Sequence, residues 1–451
     1  MEQQPRSSDD KKTSNGLYKG WLIVIISGLF HVMFGGFYHT GLSVYFLPLI
    51  RTFEVSRTKM SFAFSVRSLE GGIEGPLAGY LVDRIGPRLI VIAGIIVGGI
   101  GFIALGLTQS FASFLLVFLG VLTVGFSLPF HGLMATINFW FRRRLGIAMS
   151  LATTGSAIGG FLVTPMVAWI VLNYSWRMAA ILSGATILAV GVPLALLVRK
   201  PQGDEAAIED RPGGAVRGGH LPGEAEPVAV LSKDANSATF NGDFTVKEAL
   251  STRVFWMLTI AIGLRLMAQG ALTVHLVPML VSKGIGEGTA ALLVSVAAFV
   301  RLPAVIGGGL LADKWSRSKA SAVAMVLGVA AAGYITFGPG GLLTGIVFAI
   351  LFAGAESCNT VTWALIGEYF GRRYFASLRG IVTLFQSIMS FLGPVVAGFV
   401  YDTTSSYRIA FIAVGLTYAL AGVLYWVMRA PATPKREEAA PAVSAQASTG
   451  D

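Results

Sequence analysis

The chain has 451 residues, of which 13% are charged and 54% hydrophobic, and it contains 55 glycines. This composition excludes an ordinary water-soluble protein, because the apolar residues lie in blocks long enough to cross a hydrocarbon core, which takes about 20 residues. The blocks are apolar on every face and rich in Gly and Ala, which indicates packed membrane helices rather than the alternating strands of a barrel.

Hydropathy over windows of about 19 residues predicts twelve spans. They lie near residues 21–47, 59–82, 89–107, 111–139, 146–172, 177–198, 252–281, 289–311, 320–338, 341–369, 376–401 and 407–428. We therefore predict an all-α membrane protein with twelve transmembrane helices. Residues 1–19 have no signal-peptide pattern, so we expect the first span itself to direct insertion.

The spans fall into two sets of six. The predicted organisation is an N-terminal cytoplasmic tail (1–20), a six-helix bundle (21–198), a cytoplasmic linker (199–248), a second six-helix bundle (249–429) and a disordered C-terminal tail (430–451). The linker is rich in Gly, Pro, Ala and mixed charge, a composition that does not fold alone. Thr245 and Glu248 have capping-box spacing, which predicts a short surface helix before the seventh span.

The formal net charge of +10 comes mostly from short loops, so membrane topology explains it and no nucleic-acid partner is expected. Most of the loop lysines and arginines lie on one side, which the positive-inside rule makes cytoplasmic together with both termini. Arg51, Arg57 and Lys59 are exceptions, because they follow the first span and belong to the outer side. The only cysteine, Cys358, lies inside a span.

The two sets of spans repeat one another at an offset of about 230 residues. DRIGPR at 83 matches DKWSRS at 313, WFRRR at 140 matches FGRRY at 370, Pro165 matches Pro394, and Trp176-Arg177 matches Tyr407-Arg408. Four ordered matches indicate a duplication that produced two pseudo-symmetric bundles. Such an arrangement places a site at the interface between the repeats, near the middle of the membrane.

The loop after the second span carries a recognisable motif. GYLVDRIGPR contains Gly79, Asp83, Arg84, Gly86 and Arg88, with a degenerate copy at Gly309, Asp313 and Arg317. This pattern resembles the motif of the major facilitator superfamily, and the resemblance covers nearly the whole chain. It implies the major facilitator fold and a cytoplasmic gate formed by Asp83, Arg84, Gly86, Arg88, Asp313 and Arg317. Helix capping and anchoring of the loop explain the same residues structurally.

Within that superfamily the chain is most similar to the monocarboxylate transporters and their bacterial relatives. FRRRLGIAMSLATTGSAIGG, which begins at Phe141, resembles their fifth-span signature, and Arg301-Leu302-Pro303 resembles their eighth-span arginine. Two positions depart from the pattern: Ala297 replaces an acidic residue one turn earlier, and the first span has His39 rather than a lysine. The resemblance implies carriage of a small organic anion across a bacterial inner membrane. Oxalate/formate exchangers are less similar, because span eleven offers only Gln386.

Arg301, midway along the eighth span, is the leading candidate for binding the anion. A guanidinium stays protonated and presents a planar fork of donors that matches a carboxylate. An ionised group exposed to lipid costs at least ~2.5 to 3.5 kcal/mol, so it needs a polar cavity or a partner. The alternative is a buried structural ion pair between Arg301 and Glu356.

The second span carries Arg67, Glu70 and Glu74 on one helix face. Mutual neutralisation is one interpretation and a role in coupling is the other, and either Glu74 or Glu356 can supply the transported proton. Arg265 and Gln269 lie one helical turn apart in the seventh span. They either line the same cavity or pair structurally with Glu356.

Tyr38, His39 and Asn359 complete the candidate substrate-binding set. Histidine titrates near neutral pH, so His39 is either a proton-sensitive ligand or an interfacial residue wetted by headgroups. Asn359 belongs to a polar stripe around Glu356 that suits either cavity lining or hydrogen bonding between helices. The remaining histidines lack metal-ligand spacing, so no metal site is predicted.

The sequence thus predicts a secondary transporter that moves a small organic anion, with a proton or by exchange, through alternating access. Export of neutral or cationic compounds, oxalate/formate-type exchange and a non-transporting sensor are the alternatives. No catalytic set, ATP-binding motif or cofactor motif is present, so neither enzyme activity nor a cofactor is expected. The expected partners are the anion, protons and the lipid bilayer, and the sequence leaves the oligomeric state open.

Overall fold

A computed structural model of the protein describes residues 19–141, 144–201, 244–371 and 374–432. Within these ranges it describes the backbone alone at residues 68, 70–79, 83, 146, 313, 360 and 376. The predicted linker and both tails therefore lie largely outside the described residues. The described ranges contain twelve long helices, in agreement with the all-α prediction.

The twelve helices follow the predicted spans in order. They are α1 (Lys19–Phe53), α2 (Arg57–Ile85), α3 (Pro87–Gly106), α4 (Phe111–Trp140), α5 (Leu145–Asn173), α6 (Trp176–Leu196), α7 (Arg253–Ser282), α8 (Glu287–Lys314), α9 (Arg317–Phe337), α10 (Gly341–Phe370), α11 (Phe375–Thr404) and α12 (Arg408–Val427). Of these described helices, all except α2 are long and apolar enough to cross a membrane by length and composition. Helix α2 has 29 residues, which is also sufficient length.

Helix α1 is longer and less regular than predicted. It continues to Phe53 rather than ending near residue 47, because its second part from Leu42 is buried against the neighbouring helices, α7 among them. Between the two parts, Phe34–His39 forms a π-helical segment, and the Thr40 N–H donates to the Gly35 carbonyl over 2.9 Å. This wide turn changes the face that Tyr38 and His39 present.

The helices pack into two six-helix bundles, which we call the N half (α1–α6) and the C half (α7–α12). In the N half α1 packs on α5, and α3 packs on α4 and α6. In the C half α7 packs on α11 and α12, while α10 packs on α8 and α9. The predicted bundle architecture is therefore confirmed.

The halves meet along α2 with α11 and α5 with α8, and the end of α1 packs on α7. We call the end of the molecule at Lys19, Lys200 and Phe244 the linker face, and the other end the opposite face. At the opposite face Arg51 pairs with Glu287, and Asp402 accepts hydrogen bonds from the Thr58 hydroxyl and backbone over 2.6 and 2.8 Å. The stretch after the first predicted span, whose basic residues break the positive-inside pattern, thus joins the halves.

The predicted short helix before the seventh span is present at Val246–Ser251. The Thr245 N–H donates to Glu248 Oε2 over 2.7 Å, and the Glu248 N–H donates to Thr245 Oγ1 over 3.3 Å. This reciprocal pair is the capping box that the spacing predicts. It ends the linker at a fixed position at the start of α7.

Small residues let α1 and α5 approach closely. A Cβ at Gly159 would overlap the carbonyl group of Val32, and one at Gly155 would overlap that of Gly28. In lipid there is no hydrophobic driving force between helices, so their association depends on close packing of this kind. The α1–α5 contact therefore fixes the part of α1 that carries Tyr38 and His39.

We expect Gly159→Ala to lower the midpoint of thermal unfolding, because the added methyl group forces α1 away from α5 at a cost of about 1–3 kcal/mol. The matched control is Gly333→Ala in α9, where a Cβ meets no atom outside its own helix turn within 4 Å. That change should leave the midpoint equal or higher, since Ala favours helix over Gly. Fluorescence-monitored unfolding in detergent measures both, and equal midpoints would contradict the close α1–α5 contact.

Candidate functional site

An interruption in α10 positions the acidic residue of the candidate site. The helix is regular over Gly341–Glu356, turns at Ser357 and Cys358, and resumes at Asn359. Glu356 therefore ends the first segment at mid-depth, where its side chain is 2% exposed. Within the described part of the chain, neither of its carboxylate oxygens has a hydrogen-bond partner.

Arg265 of α7 holds Glu356 from inside the C half. Its Nη1 lies 3.7 Å from Glu356 Oε2, and its side chain is 1% exposed. Its Nη2 donates to Asn359 Oδ1 over 2.9 Å, and Nη1 donates to Gln269 Oε1 over 3.4 Å. The buried Arg265 and the half-buried Gln269 and Asn359 thus form a polar group beside the carboxylate. This geometry favours the structural interpretation of Arg265.

Arg301 of α8 approaches the same carboxylate and is far more exposed than Arg265. Its Nη2 lies 3.9 Å from Glu356 Oε2, and its side chain is 34% exposed. That separation exceeds hydrogen-bond length. Among the described residues no side-chain hydrogen bond of Arg301 occurs, so its donors remain available to a ligand. The site therefore has two arginines for one described acid.

The N half contributes His39 and Arg67 to the same region. His39 lies deep within the protein, yet its side chain is solvent-accessible, as expected for a residue that lines an internal cavity. The charges of Arg67 and Arg301 both act on its imidazole. The Arg67 guanidinium lies 4.8 Å from the centre of the Tyr38 ring, and its Nη1 donates to the Tyr38 carbonyl over 3.4 Å. Positive groups from both halves thus lie near the imidazole of His39.

The candidate substrate-binding residues differ in their exposure. His39 is exposed, Arg301 is partly exposed, and Gln269 and Asn359 are half-buried. Arg265 and Tyr38 are buried, and the Tyr38 ring stacks on Phe126 at 4.4 Å. In the proposed charge network Arg67 and Glu356 are described, whereas the side chains of Glu70 and Glu74 lie outside the described residues.

The motif residues lie at the linker face, where α2 joins α3 and α8 joins α9. Gly86 has φ +91° between α2 and α3, a conformation that favours glycine. Arg88 donates to the Leu196 carbonyl over 2.9 Å, and the Arg84 guanidinium lies 5.2 Å from the Tyr80 ring. Arg317 pairs with Glu368 at 2.9 Å. The side chains of Asp83 and Asp313 lie outside the described residues.

A second polar group, at the opposite face, was not predicted. It joins Arg57 and Ser61 of α2 to His275 of α7 and to Tyr407. Two sequence signals pointed to it: Arg57 breaks the positive-inside pattern, and Tyr407 belongs to the repeated Trp-Arg and Tyr-Arg pair. Nothing in the sequence alone indicates that these residues meet.

Comparison with known proteins agrees with this architecture. The family model described as Major Facilitator Superfamily matches residues 21–394. Monocarboxylate transporter 12-B of Danio rerio is 25% identical over 419 residues, covering 90% of this chain and 86% of the relative. Monocarboxylate transporter 13 of Rattus norvegicus is 26% identical over 409 residues, covering 89% and 87%.

Solved structures show the same fold. A bacterial homolog of the human lysosomal transporter Spinster, inward-facing and unoccupied, matches with a TM-score of 0.68 at 16% identity, covering 91% of this chain and 97% of that one. A POT family transporter in complex with 5-aminolevulinic acid matches with a TM-score of 0.69 at 13% identity, covering 92% and 97%. The chain belongs to the Major Facilitator Superfamily and is a membrane transporter, not an enzyme, related at low identity to monocarboxylate transporters.

Proposed function

We propose that this protein is a secondary transporter of small organic acids with one carboxylate, and that a proton crosses with the anion. The observation that carries the proposal is the state of Arg301. Its guanidinium is 34% exposed at mid-depth and lies 3.9 Å from the nearest carboxylate oxygen. The names of the relatives, monocarboxylate transporters, support the same class of substrate.

The anion binds because it relieves a charge that the protein compensates only in part. In a cavity of low dielectric, attraction between a guanidinium and a carboxylate is stronger than in water. Arg265 and Arg301 share Glu356, so a second carboxylate neutralises the pair of arginines. The planar fork of Arg301 accepts a carboxylate through two parallel hydrogen bonds.

Alternating access follows from the division of the site between the halves. Arg301 belongs to α8 of the C half, whereas His39 and Arg67 belong to α1 and α2 of the N half. An anion between them contacts both halves, so its binding favours the conformations in which the halves close around it. The two bundles then rock about this point, as transporters built from repeats do.

Glu356 is our candidate for the proton. Two carboxylates that approach one guanidinium repel each other, and the repulsion is relieved when one of them takes up a proton. Glu356 has no hydrogen-bond donor among the described residues, so a proton on it breaks no existing hydrogen bond. Anion binding at Arg301 therefore draws a proton to Glu356, which couples the two fluxes.

We further propose that the linker face is cytoplasmic. The loops at that face carry most of the basic residues, including Arg84, Arg88, Arg317 and Lys319, and basic loops stay on the cytoplasmic side. A bacterial inner membrane remains a prediction from the sequence.

We expect Arg301→Gln to reduce anion uptake strongly, because it removes a charged donor pair worth about 1.5–3 kcal/mol, which is about 10- to 100-fold in apparent affinity. Arg301→Lys should retain part of the uptake, since it keeps the charge but loses the fork. Uptake of labelled lactate, pyruvate and similar acids into proteoliposomes measures both variants.

Arg408→Gln is the matched control for this experiment. Arg408 is the first residue of α12, at the opposite face rather than at mid-depth. Its guanidinium lies 5.4 Å from the centre of the Phe337 ring. It should transport as the parent does. If Arg301→Gln takes up anions at the parent rate, the assignment of Arg301 is wrong. If the parent moves neutral or cationic solutes but no organic acid, the result supports the alternative exporter.

Glu356→Gln should separate anion movement from proton movement. The amide cannot carry the proton, so a pH gradient should no longer drive accumulation, while exchange of external for internal anion should continue. Proteoliposome uptake with and without an imposed pH gradient, together with counterflow, measures the two activities. Glu54→Gln is the control, because that carboxylate is exposed just after the opposite-face end of α1 and belongs neither to the site nor to the gate. Accumulation by Glu356→Gln at the parent level would exclude Glu356 as the coupling group.

A further inference from the structure

The polar group at the opposite face is centred on a fully buried histidine. His275 of α7 is 0% exposed. Its Nε2 lies 2.9 Å from the Pro394 carbonyl oxygen and 3.0 Å from Ser61 Oγ, and its Nδ1 lies 2.9 Å from the Tyr407 hydroxyl. We call Arg57, Ser61, His275, Asp402 and Tyr407 the opposite-face cluster. It connects α2 of the N half with α7, α11 and Tyr407 of the C half.

The hydrogen bonds run in one direction through this cluster. A carbonyl oxygen only accepts, so Nε2 carries a hydrogen and donates it to Pro394, and in the neutral ring Nδ1 is an acceptor. The Tyr407 hydroxyl therefore donates to Nδ1. Its oxygen in turn accepts from Arg57 Nη1 over 2.6 Å. This chain of hydrogen bonds, from Arg57 to Tyr407 to His275 to Pro394, needs an uncharged imidazole, because Nδ1 must accept.

The charged and titratable neighbours of His275 are few. Helix α2 presents Arg57, which also stacks over the Tyr401 ring at 3.6 Å, and α1 presents the apolar ring of Phe46 at 5.2 Å. From α11, Asp402 is engaged by the Thr58 hydroxyl and by the backbone N–H groups of Arg57 and Thr58. Its carboxylate is thus committed to the start of α2.

A proton on Nδ1 reverses the central hydrogen bond. Nδ1 then becomes a donor, so the Tyr407 hydroxyl hydrogen loses its acceptor and Tyr407 must receive from both His275 and Arg57. The positively charged imidazole and the Arg57 guanidinium then both face the Tyr407 hydroxyl and repel each other. Both effects weaken the attachment of Arg57 and Ser61, which lie on α2, to the C half.

We propose that His275 is a proton-binding site, and that a proton bound there releases α2 from α7 and α11 and opens the opposite face. A histidine in contact with water titrates near pH 6.5. The imidazole therefore takes up its proton as the face opens and water reaches it, and the bound proton stabilises the open state. The inference uses neither Arg301 nor Glu356. It therefore adds to the proposed anion transport a proton-dependent control of access from the opposite face, and it is testable without any substrate.

The test measures the opening of the opposite face as a function of pH. In full-length protein with Cys358→Ser, spin labels are attached at Gln109→Cys and Leu342→Cys, two exposed positions at the opposite-face ends of different halves. Pulsed electron resonance in nanodiscs without substrate then gives the distance between the labels. From about pH 8 to about pH 5.5 the long-distance population should rise, by at most about tenfold per pH unit for one proton.

His275→Gln is the decisive variant, because its side-chain nitrogen can still donate to Pro394 while its oxygen accepts from Tyr407 without titrating. It should keep the short distance at both pH values, whereas the matched control His131→Gln, in α4, should keep the parent shift. Tyr407→Phe removes the donor to Nδ1 and should move the transition to higher pH. A parent distance that does not change with pH, or an undiminished shift in His275→Gln, overturns the proposal. Loss of anion uptake in Arg301→Gln bears only on the proposed function.

Discussion

The structure depends on how ionised groups are held at mid-depth in a medium that penalises them. Glu356 is buried at the interruption of α10 and is approached by Arg265 at 3.7 Å and Arg301 at 3.9 Å. A lone buried carboxylate would be costly, and so would either arginine. The three groups therefore stabilise one another, and any change in one of them changes the charge balance of the others.

The two arginines differ in their surroundings far more than in their distance from Glu356. Arg265 is 1% exposed and has amide partners on two helices, whereas Arg301 is 34% exposed and has no hydrogen-bond partner among the described side chains. The hydrogen bonds to Gln269 and Asn359 hold the buried guanidinium of Arg265 in one position. An exposed guanidinium can exchange one carboxylate for another at small cost. Arg265 thus fixes the carboxylate that Arg301 can leave when an anion arrives.

Much of the fold was predictable because it follows from local chemistry. Apolar blocks gave the helices, the spacing of Thr245 and Glu248 gave a helix start, and the depth of Arg301 in its span followed from counting residues. The π-helical segment at Phe34–His39 and the interruption of α10 were not predicted, because both depend on packing and hydrogen bonding rather than on hydropathy. They nevertheless determine where His39 and Glu356 lie.

The candidate site was predictable in its residue types but not in its grouping. For Arg67 the sequence left open neutralisation by Glu70 and Glu74 or a role in coupling. Its described contacts are with Tyr38 of α1, and the side chains of both acids lie outside the described residues. Arg301 was the leading candidate for anion binding, whereas Arg265 was left between cavity lining and a structural pairing with Glu356, and its burial favours the structural pairing. Depth along a helix can be counted in a sequence, but the direction of a side chain around the helix depends on how the bundle packs.

The matching positions Trp176 and Tyr407 of the internal duplication make different contacts at the opposite face. In the N half the Trp176 indole donates to Thr52 of α1 over 2.9 Å, within its own bundle. At the matching position in the C half, Tyr407 contacts His275 of α7, the counterpart of α1, and also accepts from Arg57 of the other half. A tryptophan N–H only donates, whereas a tyrosine hydroxyl donates and accepts at once. This replacement converts a bond within one bundle into a connection between the bundles, and the titratable partner in that connection is a histidine.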